Sequence, residues 1–417
     1  MSDNPGHAVR LQNCLRNIPT DAKRIILAFS GGLDSCVLLH LLANNKTASE
    51  LELWHVNHGL QEAANEMALF CQEAANKYSL NLVVSQLNLS SVESNIEAIA
   101  RTARYSLFEK NLRANDCLLT AHHADDQAET LMLNILRGSG SRGLSGIAYT
   151  RTLGKAKLLR PLLDIPRNTL IDFAQQNRLE WFDDPSNDSN RFNRNFLRHK
   201  IMPVFRQRWP GYLSSFSKVS NIQRETQELI DDLAKLDFDQ IALFDRVTGL
   251  STLNQLQLLK LTRPRQKNVI RFWVRYHDYP GLPQAKLNDL IAQLNARHDA
   301  MPVVSLNNYE IRIYNQNLFI VSSPADHPSM NCYEFGLQPE LQVTEINLKI
   351  KRTELFKRFS IIETGQLVTL KFRLRMGDSN SHKHRLKRLF QQHKIPPWKR
   401  PDIPQVYIND DLIGLIV

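Results

Sequence analysis

The stretch Arg24–Asn45, RIILAFSGGLDSCVLLHLLANN, joins two different apolar patterns through a polar turn. Arg24–Phe29 is a short β-type apolar run, and Val37, Leu38, Leu41 and Leu42 then recur at helical spacing. Between them lie Ser30, Gly31, Gly32, Leu33, Asp34 and Ser35. Glycines let backbone amides approach an anion closely, and the following helix points its positive end at it. The hydroxyls of Ser30 and Ser35 can donate to phosphate oxygens. A carboxylate beside phosphate is repelled unless a divalent cation lies between them, so Asp34 implies Mg²⁺. A loop of the form GxxxxGK[ST] would use its lysine on the terminal phosphates. This loop has no lysine and is better suited to gripping a departing pyrophosphate. The plain alternative is an ordinary strand–helix turn with a capped helix.

The same alternation continues outward. LELWHVNH from Leu51 reads as a second strand, followed by a helix over about 61–78. NLVVSQL from Asn81 reads as a third strand, and a helix follows with Ile96, Ile99, Ala103 and Leu107 on one face. CLLTAHH from Cys117 is a fourth strand, and Ala124, Ala128, Leu131 and Ile135 mark a fourth helix. Strand and helix alternating in this way predict a doubly wound parallel sheet, Rossmann-like, with helices on both faces. Ligands of such sheets bind at the carboxyl ends of the strands. Ser30, His55–His58 and His122–Asp126 all lie at predicted strand ends and should converge on one rim.

After Pro203 a long polar helix is expected over about 213–236, and two or three further helices include KNVIRFWVRY and AKLNDLIAQL. YEIRIYNQNLFIVS from Tyr309 reads as a hairpin turning at Asn315–Asn317. SSPADHPSMN from Ser322 has the composition of a linker. Strand-like runs, a basic helix near His384–His393 and a hairpin around QVYINDDLIGLI complete the chain. The division expected is a catalytic α/β domain over 1–212, a mostly helical middle domain over 213–325 and a small basic α+β domain over 340–417.

Composition narrows the class. The chain has 417 residues, 42% of them hydrophobic and 23% charged, which is ordinary for a globular protein. No stretch approaches the roughly 20 apolar residues of a membrane helix, and MSDNPGHAVR has no apolar core of a signal peptide. Five cysteines lie far apart without metal-ligand spacing, so reduced thiols and a cytoplasmic location are expected. The net charge of +10 asks for an anionic partner. Much of it falls between Lys371 and Arg400, where Lys383, Arg385, Lys387, Arg388 and others are opposed by Asp378 alone. Such a local cluster, interleaved with His382, His384, Phe390 and Trp398, points to a phosphate backbone, against the plainer reading of a solvated helix face.

SGGLDS at Ser30–Ser35 matches the pyrophosphate-loop signature of the ATP-pyrophosphatase superfamily, whose catalytic domains are adenine nucleotide alpha hydrolase-like. HVNHGL at His55–Leu60, EAIARTARY at Glu97–Tyr105, AHHADDQAET at Ala121–Thr130 and RGSGSRGLSGI at Arg137–Ile147 narrow the likeness. With RPLL at Arg160–Leu163, DPSNDSNRFNRNFLR at Asp184–Arg198 and the tail from Arg385, they resemble the bacterial tRNA(Ile)-lysidine synthetases. The likeness covers most of the chain in order and is thin between Arg198 and Lys383. It implies an enzyme that adenylates the wobble cytidine of a tRNA(Ile) with anticodon CAU. Free lysine then displaces AMP, giving lysidine and moving codon reading from AUG to AUA. Activating a poor leaving oxygen before displacement is the usual logic of covalent intermediates.

On this resemblance Ser30, Gly31, Gly32, Leu33, Asp34, Ser35 and backbone near Val56 bind ATP, with Asp34 also on Mg²⁺. Glu97, Arg101 and Arg104 share a helix face; they are either a surface ion pair or, for Arg104, a nucleotide contact. Asp126 and Glu129 fit a capping-box spacing. Yet acids and histidines at a phosphate rim also suit Mg²⁺ or a cationic substrate, which makes His123, Asp126 and Glu129 site candidates. The glycines of RGSGSRGLSGI suit a flexible loop against substrate. Arg194 and Arg198 are phosphate contacts or helix-surface charge. A homodimer is left open. Two other readings stand beside this one. A tRNA thiolase of the same superfamily needs paired cysteines, which the chain lacks, and a non-catalytic RNA-binding module would not explain the pyrophosphate loop.

Overall fold

The apolar run Ile25–Leu27 is the centre of β1 (Arg24–Ala28), flanked by strands on both sides and almost fully buried. The computed structural model describes residues 9–417 apart from position 12 and the segments 46–49, 58, 60–62, 88–95, 185–192, 296–300, 323–331, 336–339, 344–347, 360–367 and 373–379. The linker expected at 322–331 therefore lies, apart from Ser322, outside the described residues, as do His58 and the side chain of Glu97. The chain divides into two units, Met1–Glu228 and Leu229–Val417.

In the first unit β2 (Glu50–Asn57), β3 (Asn81–Gln86), β4 (Asp116–Leu119), β5 (Thr150–Leu153) and β6 (Ala156–Leu159) complete a six-stranded sheet of order β3-β2-β1-β4-β6-β5. Every pairing is parallel except β5 with β6. Strand order reverses between β1 and β4, which makes their carboxyl ends the switch point where such sheets take ligands. Side-chain alternation sorts the core into two layers. Ile25, Leu27, Leu53, Cys117 and Leu119 face α1 (Leu33–Ala43), α2 (Ala63–Lys77) and α5 (Arg167–Gln176). Ile26, Trp54, Val56, Leu118 and Leu158 face α3 (Ile96–Asn111). At the amino ends of the strands, Arg24 bridges Glu52 at 2.8 Å and Asp116 at 2.7 Å, tying β1 to both neighbours away from the ligand rim.

The α3 face differs from the one its sequence predicts. Ile99 is exposed, and among the helix's described side chains Ala100 and Phe108 are buried, with Leu112 just past its end. Packing of Phe108 and Leu112 against the sheet turns the helix past the stripe that spacing alone picks out. Helix α4 (Ala124–Leu136) follows β4. Beyond it, α6 (Asn193–Phe196) continues through a π-helical turn, Leu197–Ile201, into α7 (Met202–Arg208). The unit boundary falls within the 30-residue helix α8 (Tyr212–Ile241).

The second unit opens with a five-stranded sheet, order β7-β8-β11-β10-β9, from β7 (Ala242–Asp245), β8 (Leu250–Asn254), β9 (Val303–Ser305), β10 (Tyr309–Tyr314) and β11 (Asn317–Ser322). Helices α9 (Arg263–Tyr276) and α10 (Gln284–Gln293) pack on it through Val269, Ile270, Trp273, Leu287 and Leu290. The β10–β11 hairpin turns where the sequence places it. Asn315 and Gln316 take φ of 46° and 60°, the left-handed pair that a two-residue hairpin loop needs. The chain closes on a four-stranded antiparallel sheet, β12 (Cys332–Phe335), β15 (Val368–Lys371), β16 (Gln405–Ile408) and β17 (Asp411–Leu415). The short pair β13 (Glu340–Val343) and β14 (Leu348–Lys351) precedes β15. Helix α11 (Asn380–Gln392) buries Leu386 and Phe390 and leaves Lys383, Arg385, Lys387 and Arg388 exposed.

Candidate active site

The turn after β1 is built to stay open. Gly31 has φ of +80°, and a Cβ there would meet Cys71 Sγ at 3.0 Å and a Phe70 ring carbon at 3.3 Å, so a side chain would be strained and crowded. Gly32 is the N-cap of α1 and has no side chain to occupy the amides. Ser30 and Ser35 hydroxyls are 3.1 Å apart, and Ser35 also donates to the Gly32 carbonyl at 2.9 Å. The loop thus presents two hydroxyls and the amino end of an eleven-residue helix, an anion cradle. Asp34 lies in the first turn of that helix with Oδ1 buried and without a hydrogen bond.

Across from the loop is the β4 end. His123 is the N-cap of α4, and its amide donates to Asp126 Oδ2 at 3.0 Å. The capping position is therefore His123 with Asp126 three residues on, and not the Asp126–Glu129 spacing expected from sequence. His123 Nε2 lies 3.5 Å from Asp34 Oδ2 and 3.5 Å from Asp126 Oδ2. It links the two strand ends. Burial alone would hold this imidazole neutral. The Asp126 carboxylate, with Asp34 and Asp125, outweighs it and lifts His123 to about 9. Burial would likewise raise the Asp126 carboxyl, but His123 and Arg194 hold it well below the usual carboxylate range. His122 is pushed the other way, to about 3, by burial, against the pull of Asp126. Its Nδ1 is 2.9 Å from the Thr120 hydroxyl.

Asp126 and Glu129 are both paired. Arg194 gives Nε to Glu129 Oε2 at 2.7 Å and Nη2 to Asp126 Oδ1 at 2.8 Å. Arg198 gives Nε to Glu129 Oε1 at 2.7 Å and Nη2 to Asp126 Oδ1 at 3.3 Å. Glu129 is buried with a guanidinium on each oxygen. Asp125 is spent on structure, accepting from the Arg167 amide at 2.9 Å and from Arg206 at 3.1 Å.

Sequence reasoning brought Ser30–Ser35, His123 and Asp126 to one rim, and the structure brings them together. Arg104 of α3 lies close enough to His55 to help lower its pKa, after burial. His55 itself is buried, with Nδ1 2.9 Å from the Phe29 carbonyl, so its ring braces the ends of β1 and β2. Val56 lies within the buried run at the carboxyl end of β2. The 137–147 loop is anchored, contrary to the flexible loop expected. Gln127 exchanges two hydrogen bonds with the Ile147 backbone, Asn134 holds the Gly143 carbonyl and Arg224 holds that of Ser145. The RPLL motif contains Arg160 but gave it no site role; it directly follows β6 on the same rim and is 3% exposed. The signal was present: an arginine ends an apolar strand in AKLLR. Lys383, Arg385, Lys387 and Arg388 belong to the second unit.

Among the described residues no group of three or more His, Cys, Asp or Glu side chains could hold a metal. A Mg²⁺ here would take Asp34 as a protein ligand, with phosphate oxygens and water completing its shell, as is usual for this ion. The orphaned Asp34 Oδ1 fits that role.

A protein-family model described as a PP-loop domain matches residues 5–205. Models for a TilS substrate binding domain and a TilS substrate C-terminal domain match 253–319 and 369–415. The tRNA(Ile)-lysidine synthase of Coxiella burnetii is 36% identical over 95% of this chain and 89% of its own length. That of Serratia proteamaculans is 33% identical over 94% and 91%, and that of Legionella pneumophila 32% over 94% and 91%. The chain belongs to the tRNA(Ile)-lysidine synthase family. The likeness runs through both units, so the family's domains account for the loop at β1 and the basic helix α11 alike. The four cysteines whose side chains are described, Cys14, Cys36, Cys71 and Cys117, are free and buried, and burial raises each thiol. Thiols so disposed are poor sulfur carriers, which counts against the thiolase reading.

Proposed function

We propose that this protein ligates lysine to C2 of the wobble cytidine in a tRNA(Ile) bearing anticodon CAU. The observation that carries the reading is the meeting, at the β1/β4 switch point, of a lysine-free phosphate loop with a mixed-sign cluster. In the first step the cytosine O2 attacks the α-phosphorus of ATP and pyrophosphate departs. Amides of the Ser30–Ser35 turn and the Ser30 and Ser35 hydroxyls hold the departing group; Asp34 would hold a Mg²⁺, which would supply charge screening there. In the second step a lysine amine, having lost its proton, attacks C2, and AMP leaves with the oxygen. Val56 backbone lines the adenine, and Arg104 reaches the nucleotide.

Lysine is a zwitterion with one carboxylate and two ammonium groups. Asp126 and Glu129 interleaved with Arg194 and Arg198 offer both signs within one cluster, which supports placing lysine there. His123 between Asp34 and Asp126 fixes the two carboxylates relative to each other. On this reading 1–212 is catalytic, 213–325 binds substrate and 340–417 holds tRNA through Lys383, Arg385, Lys387 and Arg388. The location is the cytoplasm, where free thiols and the tRNA pool coexist; among the described residues no helix is long and apolar enough to cross a membrane. A homodimer belongs to the same reading. Its support is the exposure of Val219, Ile222, Leu229 and Leu236 on α8, and sedimentation velocity reads it.

The deciding experiment incubates the protein with CAU tRNA(Ile), ATP and labelled lysine and analyses the nucleosides by mass. Label in a cytidine derivative, with AMP released only when tRNA is present, is expected. Sulfur in place of lysine would move the assignment to a thiolase. RNA binding without AMP formation would leave only a binding module.

A further inference from the structure

Three guanidinium groups gather on the same rim beyond β4. Arg160 leaves the carboxyl end of β6. Arg151 lies on β5, paired with Leu158 one residue before that end, and Arg101 lies on α3. All three meet at Tyr105. The Arg151 and Arg101 guanidiniums lie over its ring, 4.6 and 5.2 Å from the centroid. Burial lowers the Arg160 guanidinium from its ordinary value; the Tyr105 hydroxyl opposes this, and Arg151 and Arg101 add to it. Among the described residues none of the three is paired with a carboxylate. The side chain of Glu97, one turn before Arg101, is outside the described residues, so the weight falls on Arg151 and Arg160.

A structural role explains part of this. Arg160 donates Nη1 to the Ala148 carbonyl at 2.5 Å. That bond needs a donor and no charge, and its Nε remains buried without a hydrogen bond. Exposed Arg101 and Arg151 add like charge beside it instead of acid. Gathering cations around a buried guanidinium is costly unless an anion joins them.

We infer that Arg160, Arg151 and Arg101, assembled around Tyr105, form a second anion site that takes a phosphodiester of the RNA next to the reacting nucleotide. The inference rests on the function proposed above. The site lies two strands from β1, roughly 10 Å along the sheet at the usual strand spacing. That is too far for the pyrophosphate held after β1. It is also on the side of the loop away from Val56 and the adenine. The nucleoside to be adenylated must approach the α-phosphate from this side, and its backbone phosphate is the anion it brings.

The test uses the full chain and an anticodon stem-loop carrying CAU, either all-phosphate or with neutral methylphosphonates flanking the wobble cytidine. Arg151→Gln and Arg101→Gln change exposed positions and keep the fold; Arg160→Lys keeps the charge and loses the fork. For wild type, the neutral linkages should weaken binding about tenfold, the worth of one charge-assisted hydrogen bond. In Arg151→Gln the all-phosphate RNA should bind correspondingly more weakly, and neutralising the linkages should cost little more. Its log Kd against log salt slope should flatten by about 0.7 for each phosphate the protein no longer neutralises. ATP affinity, read by calorimetry without RNA, should be unchanged in all three. Wild-type insensitivity to the neutral linkages overturns the site, as does a variant that loses ATP affinity instead. If wild type binds the RNA but incorporates no lysine, the proposed function fails while the phosphate readout still decides the site.

Discussion

On the function proposed above, Asp34 is the residue on which the chemistry turns. Its Oδ1 is buried in a phosphate turn and has no hydrogen bond, a costly state that a bound cation relieves. Asp34→Ala removes that cost and keeps the helix. The variant should fold normally and lose AMP formation by roughly a hundredfold or more, the scale on which a positioned electrostatic group acts. Near-normal AMP release from a folded Asp34→Ala protein would remove Asp34 from the mechanism. Asp126 behaves differently, because its carboxyl is held down by His123 and Arg194 against the effect of burial. A carboxyl whose folded pKa is depressed stabilises the fold above its unfolded value, near 4, and loses that contribution as pH falls through the folded pKa. Asp126→Asn should therefore cost about 3–5 kcal/mol at neutral pH, since it strands buried cations. The gap to wild type should shrink below about pH 4. Denaturant titrations of both proteins from pH 7 to pH 3 read this, and a pH-independent gap would mean that the charge of Asp126 is not what stabilises.

At the scale of elements, the β1–α1 turn shows how a backbone conformation becomes a binding site. Gly31 is left-handed and packed against Cys71 and Phe70 of α2, so helix and loop fit only because no Cβ intervenes. Gly31→Ala would strain the turn by about 1–2 kcal/mol and push it from α2. Because the same turn aims the amides, ATP affinity should fall further than melting temperature does. Calorimetric ATP titration beside a thermal melt measures the split; equal, small effects would mean that the turn adapts. The α4 element is held from the other side. Arg194 and Arg198, on the α6 and π-helical segment, clamp Asp126 and Glu129 across 65 to 72 residues of sequence. The π-helical turn at Leu197–Ile201 directly follows α6 and carries Arg198.

For the whole molecule, the proposed reaction needs a nucleotide site in one unit and an RNA-holding surface in the other. Reversing Lys383, Arg385, Lys387 and Arg388 should weaken tRNA binding and flatten its salt dependence by about 0.7–0.9 log units for each phosphate left without its cation. ATP binding should stay unchanged, because the pyrophosphate loop lies in the other unit. Equal affinity and parallel salt slopes would reduce α11 to a solvated face. The sequence by itself determined the order of strands and helices around β1, the turn that follows it and the rim on which Ser30–Ser35, His123 and Asp126 meet. It also determined the hairpin turning at Asn315–Asn317 and the basic helix near His384–His393. Each of these follows from the local period of apolar residues, from turn chemistry or from the rule that parallel sheets bind ligands at their carboxyl ends. Only the tertiary structure decided that Asp126 and Glu129 face arginines, that His55 braces two strands and that the 137–147 loop is anchored. It alone assembled Arg160, Arg151 and Arg101 around Tyr105. Periodicity reports which side of one element meets water, whereas a charge pair depends on which distant segments the fold sets side by side, and no local pattern carries that information.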